Sequence, residues 1–337
     1  MSRPAILVVI PMLNEARHIE SVIRALNVDL PPDYDTHFVV ADGGSTDGSQ
    51  AIVEVLGERL GNVTLMHNPQ RRQGAGVNLA VQQYGHGADI LVRCDAHAGY
   101  PPRYIARLVD TLDRVGAAAV VVPMDSVGET CMQKAIAWVS DTTVGSGNSA
   151  HRGGRVSAFV DHGHHAAFRM TSFRKAGGYD DRFTPNEDAE LDCRQRARGS
   201  KIYLDADIRM DYYPRESLAR LWKQYLAYGR ARYLTIRRHP DSLRLRQLAV
   251  PVHVVLTGVT LLGSLLKPWL LLWPAFYLTV LLINALILTV RHRSACALLA
   301  APAALVMHFA WGVGLLEALL RGKIVRDAGP DGAQLGA

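Results

Sequence analysis

The sequence predicts an α/β protein with a mostly parallel sheet and flanking helices, followed by helices that span a membrane. Two observations carry that reading. Up to about Gln247, apolar runs of strand length alternate with segments of helical period, and charges recur every few residues. From Leu248 to Leu320 the chain is nearly continuous Leu, Val and Ala, broken by Lys267 and by RHR at 291–293. Strands alternating with helices form a parallel sheet covered on both faces. An apolar tract that long has no place in a soluble domain of this size. The 337 residues suffice for one large domain or two ordinary ones.

The elements follow in order. AILVVIP is a fully apolar run of strand length, and NEARHIESVIRAL after it reads as a helix. In that helix Asn14 can cap, and Ile19, Val22, Ile23 and Leu26 fall at helical spacing. THFVVADGG gives a second strand ending in a Gly-rich turn, and SQAIVEVLGERLGN a helix with a Gly-Asn stop. VTLMHN is a third strand, and GAGVNLAVQQY starts another helix. ADILVRCDA is a fourth strand, PPRYIARLVDTLDRVG a helix with Pro in its first turn, and AAAVVVPM a fifth strand.

In open α/β sheets ligands bind beyond the carboxyl ends of the strands. Pro11 and Asn14-Glu15 follow the first strand, Asp42-Gly43-Gly44-Ser45 the second, and Asp95-Ala96-His97 the fourth. All three polar clusters are therefore expected on one rim.

ADGGSTDG carries neither GxGxxG spacing nor a Walker lysine, which sets dinucleotide and P-loop fingerprints aside. It reads equally as an Asp/Gly/Ser turn with a helix cap, or as a ligand loop. In the second reading Asp42 accepts from a base N–H and the Gly43-Gly44 backbone comes close to the ligand. DAH at 95–97 puts a carboxylate and an imidazole at a strand end. Hard cations such as Mg²⁺ or Mn²⁺ take one or two protein ligands and complete their shell with phosphate oxygens and water, so such a site implies a diphosphate. DHGHHAAFR holds three histidines within four residues, and zinc would need Cys193 or Asp161 as a further ligand. His162 and His164 share one strand face and His165 takes the other, which disfavours convergence.

TPNEDAELDCRQRARG begins a helix that Asn186 can cap, with Glu187, Asp188 and Glu190 in its first turn. Those acids complement the helix dipole, or one of them serves as a general base toward a hydroxyl. Leu191 and Cys193 face apolar surroundings, whereas Arg194, Arg196 and Arg198 point to solvent or phosphate. LARLWKQYLAYGRARYLTIRRHP is basic, aromatic and helical in period, as an interfacial helix is. Its Gln224, Arg230 and Arg232 are also placed to meet a lipid-linked pyrophosphate.

The order PxxNE, DGGSTD, DAH and NEDAELxxR, then a Gln/Arg/aromatic helix and hydrophobic spans, resembles the family 2 glycosyltransferases with a GT-A fold. Within them it is most similar to the membrane-bound exopolysaccharide branch, the succinoglycan-type ExoA-like enzymes. AAFR at 166–169, GGYD at 177–180 and Asn186 to Leu191 match that branch. The resemblance implies that Pro11, Asn14, Glu15, Asp42, Gly43, Asn78 and Asp95 line the nucleotide site, with Asp42 on the uracil. It implies that Asp95 and His97 hold Mg²⁺ or Mn²⁺ on the donor diphosphate, and that Asp188, adjoined by Glu187, is the catalytic base. It places Gln224 and Arg230 in the region of the family's QxxRW element, near the acceptor diphosphate. His97 replaces the second Asp of the usual DxD. The QxxRW element lacks its Trp, which favours transfer of a single sugar over processive synthesis.

The implied organisation is a GT-A domain over 1–217 and a basic amphipathic interfacial segment over 218–247. A membrane domain of two or three spans follows over 248–325, then a flexible tail over 326–337. Arg230, Arg232, Arg237, Arg238, Arg244 and Arg246 crowd the first hydrophobic segment, which favours anionic lipid over nucleic acid as partner. The catalytic domain is thus expected on the cytoplasmic side of the inner (plasma) membrane. AILVVIP is too short for the core of a signal peptide, so no leader is expected. Cys94, Cys131, Cys193 and Cys296 share no disulfide or metal spacing and suit a reducing compartment. Glu317 and His308 in the last segment are functional candidates, although a glutamate near the end of a span can also simply snorkel. The expected reaction moves one sugar, such as glucose from UDP-glucose, to a polyprenyl-diphosphate-linked saccharide, alongside other polysaccharide-assembly proteins. A polyprenyl-phosphate sugar synthase and a catalytically silent membrane scaffold are the alternatives.

Overall fold

The computed structural model describes residues 4–147 and 155–322; the expected tail over 326–337 lies outside them. The strands are β1 Ala5–Met12, β2 Asp35–Asp42, β3 Val63–His67, β4 Ile90–Arg93, β5 Ala119–Val122, β6 Met124–Ser126, β7 Ala158–Val160, β8 His164–Arg169, β9 Ile202–Leu204 and β10 Met210–Tyr212. Helices α1 Ile19–Val28, α2 Ser49–Leu60, α3 Gln73–Tyr84 and α4 Tyr104–Val115 alternate with the early strands. Then come α5 Cys131–Ser140, α6 Thr143–Ser146, α7 Met170–Ala176 and α8 Glu187–Ala197. The last four are α9 Leu218–Arg238, α10 Leu245–Gly263, α11 Leu272–His292 and α12 Ala300–Arg321. The chain forms two compact units, one of residues up to 124 and from 153 to 212, the other of 125–152 and 213–326.

In the first unit, eight strands run in the order β3-β2-β1-β4-β8-β5-β9-β7. The neighbours β1/β2, β1/β4, β2/β3 and β5/β9 are parallel. β8 inserts antiparallel between β4 and β5, and β7 pairs antiparallel with β9. The sheet is thus mostly parallel, and the reversed β8 is what the strand–helix alternation could not announce. The period of two along β1 divides the core. Ile6, Val8 and Ile10 pack with α1, α2 and α4, while Leu7 and Val9 pack with α3, α7 and α8. Ile19, Val22, Ile23 and Leu26 of α1 are all buried, as their spacing predicts.

Local chemistry corrects several boundaries. α1 starts after His18, not at Asn14, which takes a left-handed φ of 57° in the loop before it. Pro101 and Pro102 precede α4 instead of opening its first turn, and Arg103 is the residue before the helix. Asn186 stands at the start of α8 but makes no side-chain cap hydrogen bond.

Among the described residues of the second unit, three helical stretches are long and apolar enough to cross a membrane: Leu245–Gly263, Pro268–His292 and Ala295–Arg321. α9 packs closely along α12 through small residues. A Cβ at Gly229 would collide with the Trp311 carbonyl, and one at Gly314 with the Leu226 carbonyl. Glu317 does not snorkel alone; it takes Arg230 of α9 at 2.8 Å and Arg321 at 2.9 Å. Cys131 and Cys296 form a disulfide across 165 residues, contrary to the expectation of four unpaired thiols. No sequence spacing shows such a pair, because only packing of α5 against the 295–299 turn brings the two together.

Candidate active site

The parallel register sets the rim. Met12 lies beside Asp42 and Val9 beside Arg93, so the loops after β1, β2 and β4 leave the sheet side by side. Pro11, buried in β1, pairs with Ala41, and Gly43 N donates to Met12 O at 2.8 Å. Asn14 Oδ1 accepts from Thr46 N at 2.8 Å, and Ser45 Oγ accepts from Asn14 N at 2.8 Å. Glu15 N donates to Ser49 Oγ at 2.9 Å. The sequence folds this way because Asn tolerates the left-handed region and its amide can bridge to the neighbouring loop.

Asp42 is buried and organises its own loop. It accepts from Gly44 N at 3.0 Å, Ser45 Oγ at 2.5 Å and Gln50 Nε2 at 2.5 Å. Burial works to raise its pKa, but the bonds from Ser45 and Gln50 prevail and lower it, so the carboxylate is ionised. Asn78, on α3, spends its amide on the Tyr179 backbone, donating to O at 2.8 Å and accepting from N at 2.9 Å.

Asp95 and His97 follow β4. Tyr100 Oη accepts from Asp95 N at 2.5 Å and fixes the turn, while His97 Nδ1 lies 2.9 Å from Glu15 Oε1. Among the described residues no three His, Cys, Asp or Glu side chains cluster as a metal cage. The donor set still fits a sparsely held Mg²⁺ or Mn²⁺. Asp95 supplies a hard oxygen, and Glu15 Oε1, 2.9 Å from His97 Nδ1, gives that ring the kind of carboxylate partner that metal-binding histidines commonly have.

Arg93 is the residue that sequence reasoning passed over. It ends β4, is 5% exposed, and faces three carboxylates. Nη1 bonds Asp188 Oδ1, and Nη2 lies 3.8 Å from Glu187 and 4.0 Å from Asp95. The acids at the start of α8 and the acid after β4 thus meet on one guanidinium. Burial raises the Glu187 pKa and Asp188 adds to that, with Arg93 opposing. Burial also works to raise Asp188, but Arg93 and then His165 outweigh it and hold it well below the usual range.

The histidine run also belongs to this site, but not as a zinc cluster. His164 Nε2 lies 3.5 Å from Asp95, and its Nδ1 lies 4.0 Å from Asp188. His165 sits between Asp188 at 3.3 Å and Asp192 at 2.8 Å, and His162 reaches the other Asp192 oxygen at 2.8 Å. His162 and His165 thus share Asp192, one on each oxygen, while His164 turns toward Asp95. The signal available in sequence was spacing: Asp188 and Asp192, four apart, share one helix face. Burial works to lower the His165 pKa, but Tyr179, Asp192 and Asp188 together raise it well above the usual value. The other acid of the first turn, Glu190, is fully buried and held by Arg194, which turns inward instead of to solvent.

Gln224 and Arg230 lie in the second unit. Gln224 Nε2 donates to Tyr228 Oη at 3.0 Å, and Arg230 is ion-paired with Glu317. Arg232 ties back to Ser242 and to Gln247 at 3.0 Å.

Residues 7–177 match the model of the glycosyl transferase family 2. The chain is 41% identical over 315 residues, 93% of its length, to the succinoglycan biosynthesis protein ExoA of Rhizobium meliloti (strain 1021), of which it covers 94%. It is 24% identical over 241 residues to a dolichyl N-acetyl-α-D-glucosaminyl phosphate 3-β-D-2,3-diacetamido-2,3-dideoxy-β-D-glucuronosyltransferase of Methanococcus voltae, covering 68% of this chain and 74% of that one. Among solved structures, the mannosyltransferase PcManGT of Pyrobaculum calidifontis, in complex with GDP-Man and Mn²⁺, superposes with a TM-score of 0.58 at 20% identity, covering 95% of this chain and 87% of that one. That likeness is one of fold, and the fold is GT-A. The sequence match over half the chain and the full-length relative assign the activity: the chain belongs to glycosyl transferase family 2, and it is a glycosyltransferase.

Proposed function

We propose that this enzyme is an inverting transferase. It moves one sugar, from a donor such as UDP-glucose, onto a polyprenyl-diphosphate-linked saccharide in the assembly of a succinoglycan-type surface polysaccharide. The observation that carries this reading is the meeting of Asp95, Glu187 and Asp188 on Arg93, which gathers a diphosphate-side carboxylate and a base into one site. The full-length similarity to a succinoglycan biosynthesis protein supports the pathway class.

In this reading Pro11, Asn14, Glu15, Asp42, Gly43 and Asp95 hold the nucleotide against the rim, with Asn78 bracing the Tyr179 turn behind it. Asp95 and His97 would hold a divalent cation, which would offset the charge that builds on the departing diphosphate. Asp188 takes the proton of the acceptor hydroxyl as that oxygen attacks the anomeric carbon from the side opposite the leaving group. Attack from that side inverts the configuration. Glu187 adjoins the base, and Gln224 and Arg230 serve the acceptor diphosphate. The basic run Arg237 to Arg246 sets the catalytic side toward the cytoplasm, at an inner membrane rich in anionic lipid.

The test supplies purified full-length protein with a panel of nucleotide sugars, with and without Mn²⁺, and two acceptors. One acceptor is a polyprenyl-diphosphate saccharide and the other a bare polyprenyl phosphate. Transfer to the first is expected; transfer to the second alone identifies a polyprenyl-phosphate sugar synthase. Transfer to neither favours the scaffold. Asp188→Asn should retain the donor-induced thermal shift and lose transfer by about 10²–10⁴-fold. Near-normal transfer by that variant removes Asp188 from the mechanism.

A further inference from the structure

The two oxygens of Asp188 stand in different environments. Oδ1 takes the Arg93 guanidinium and lies 3.3 Å from His165 Nδ1. Oδ2 makes no hydrogen bond among the described residues; His164 Nδ1, at 4.0 Å, is too far for one. Behind Oδ1 the support is continuous and dry. His165 is 1% exposed, and its Nε2 lies 2.8 Å from Oδ1 of Asp192, itself 0% exposed. The other Asp192 oxygen is held by His162 Nδ1 at 2.8 Å and approached by Gly163 N at 3.4 Å. Tyr179 Oη braces the same imidazole at 2.9 Å and accepts from Arg93 at 3.3 Å, and Gln73 Oε1 accepts from the far side of that guanidinium at 3.0 Å.

A carboxylate alone on a first helical turn can rotate and offer either oxygen. Here a cation and a supported imidazole hold one oxygen, and each of those groups is fixed by its own partners. We propose that Arg93 and the His165–Asp192 pair are positioning residues that immobilise Oδ1 of Asp188 and leave Oδ2 as the oxygen presented to the acceptor. This rests on the reading of Asp188 as the base. The acceptor O–H proton passes to Oδ2 and the acceptor oxygen bonds to the anomeric carbon. The bond from that carbon to the nucleoside diphosphate breaks, and its electron pair leaves with the diphosphate. Arg93 has a second effect, because its charge lets Asp95, Glu187 and Asp188 stand close without mutual repulsion.

Asp192→Asn and His165→Gln keep size and hydrogen-bonding capacity while loosening the support; Arg93→Lys keeps the charge and loses the fork. In full-length protein, Asp192→Asn and His165→Gln should lower kcat by about 10- to 100-fold while the donor KM changes by less than about two-fold, because the loss is of orientation in the transition state. Arg93→Lys should retain more activity than Arg93→Met. A preserved thermal shift on donor addition shows that each variant is folded. In an Asp188→Asn background, Asp192→Asn should cost nothing further. Wild-type kcat in both Asp192→Asn and His165→Gln, with Asp188→Asn inactive, overturns the positioning role and leaves the base assignment standing. Active Asp188→Asn overturns the base assignment, and the positioning role with it.

Discussion

Asp192, two turns into a chemistry it never touches, shows how a buried charge is tolerated: both its oxygens meet imidazoles. Burial works to raise its pKa, but His165 and then His162 bring it below the ordinary value. A depressed carboxylate adds stability that is present above its unfolded pKa of 3.8 and disappears as pH falls through the folded value. His165, raised, adds stability that is complete below its unfolded 6.5 and disappears as pH rises through its folded value. Both contributions are therefore whole between about pH 4 and 6.5. The wild-type protein should melt highest in that window. Asp192→Asn should show a lower maximum and a shallower acid limb, measured by thermal unfolding across pH. An unchanged acid limb would remove Asp192 from the pH dependence.

At the scale of elements, α8 and β8 contribute more than their periodicity announces. α8 turns Asp188 and Asp192 to one face, and β8, reversed between β4 and β5, carries His164 and His165 to meet them. The helix signature was legible, but the antiparallel insertion was not, because strand direction is set by which neighbours accept the edge. α9 repeats the lesson. Its cations suggest a helix lying alone at an interface, yet Gly229 and Gly314 let it press against α12, where Arg230 finds Glu317. Gly314→Val should force the two helices apart, lowering stability by at least about 1–3 kcal/mol. Thermal unfolding of the detergent-purified protein reads that loss, and a wild-type melting temperature would contradict the packing.

For the whole molecule, the exposed faces of α10 and α11 carry large apolar side chains, such as Val259 at 61% and Leu282 at 57% exposure. A surface of that kind is stable when lipid covers it. Leu282 stands near the middle of α11, so Leu282→Arg should hinder insertion by about 2.5–3.5 kcal/mol. The wild-type chain should resist alkaline extraction from membranes, and the variant should be released in larger part. Equal retention of both would place α11 outside the bilayer.

The sequence by itself determined the alternation of strand and helix, the apolar tract and the order of the three rim motifs. Each depends on local spacing: a period of two or of 3.6, a run length, a turn residue at a strand end. Only the tertiary structure decided that Arg93 belongs with Asp188, that His162 and His165 share Asp192 while His164 faces Asp95, and that Cys131 meets Cys296. Those pairs are 95, 69, 27, 30 and 165 residues apart, read as His164–Asp95 for the second. No periodicity spans such distances. Burying a charge is costly unless a partner arrives from elsewhere in the chain, and the fold, not the local sequence, supplies that partner.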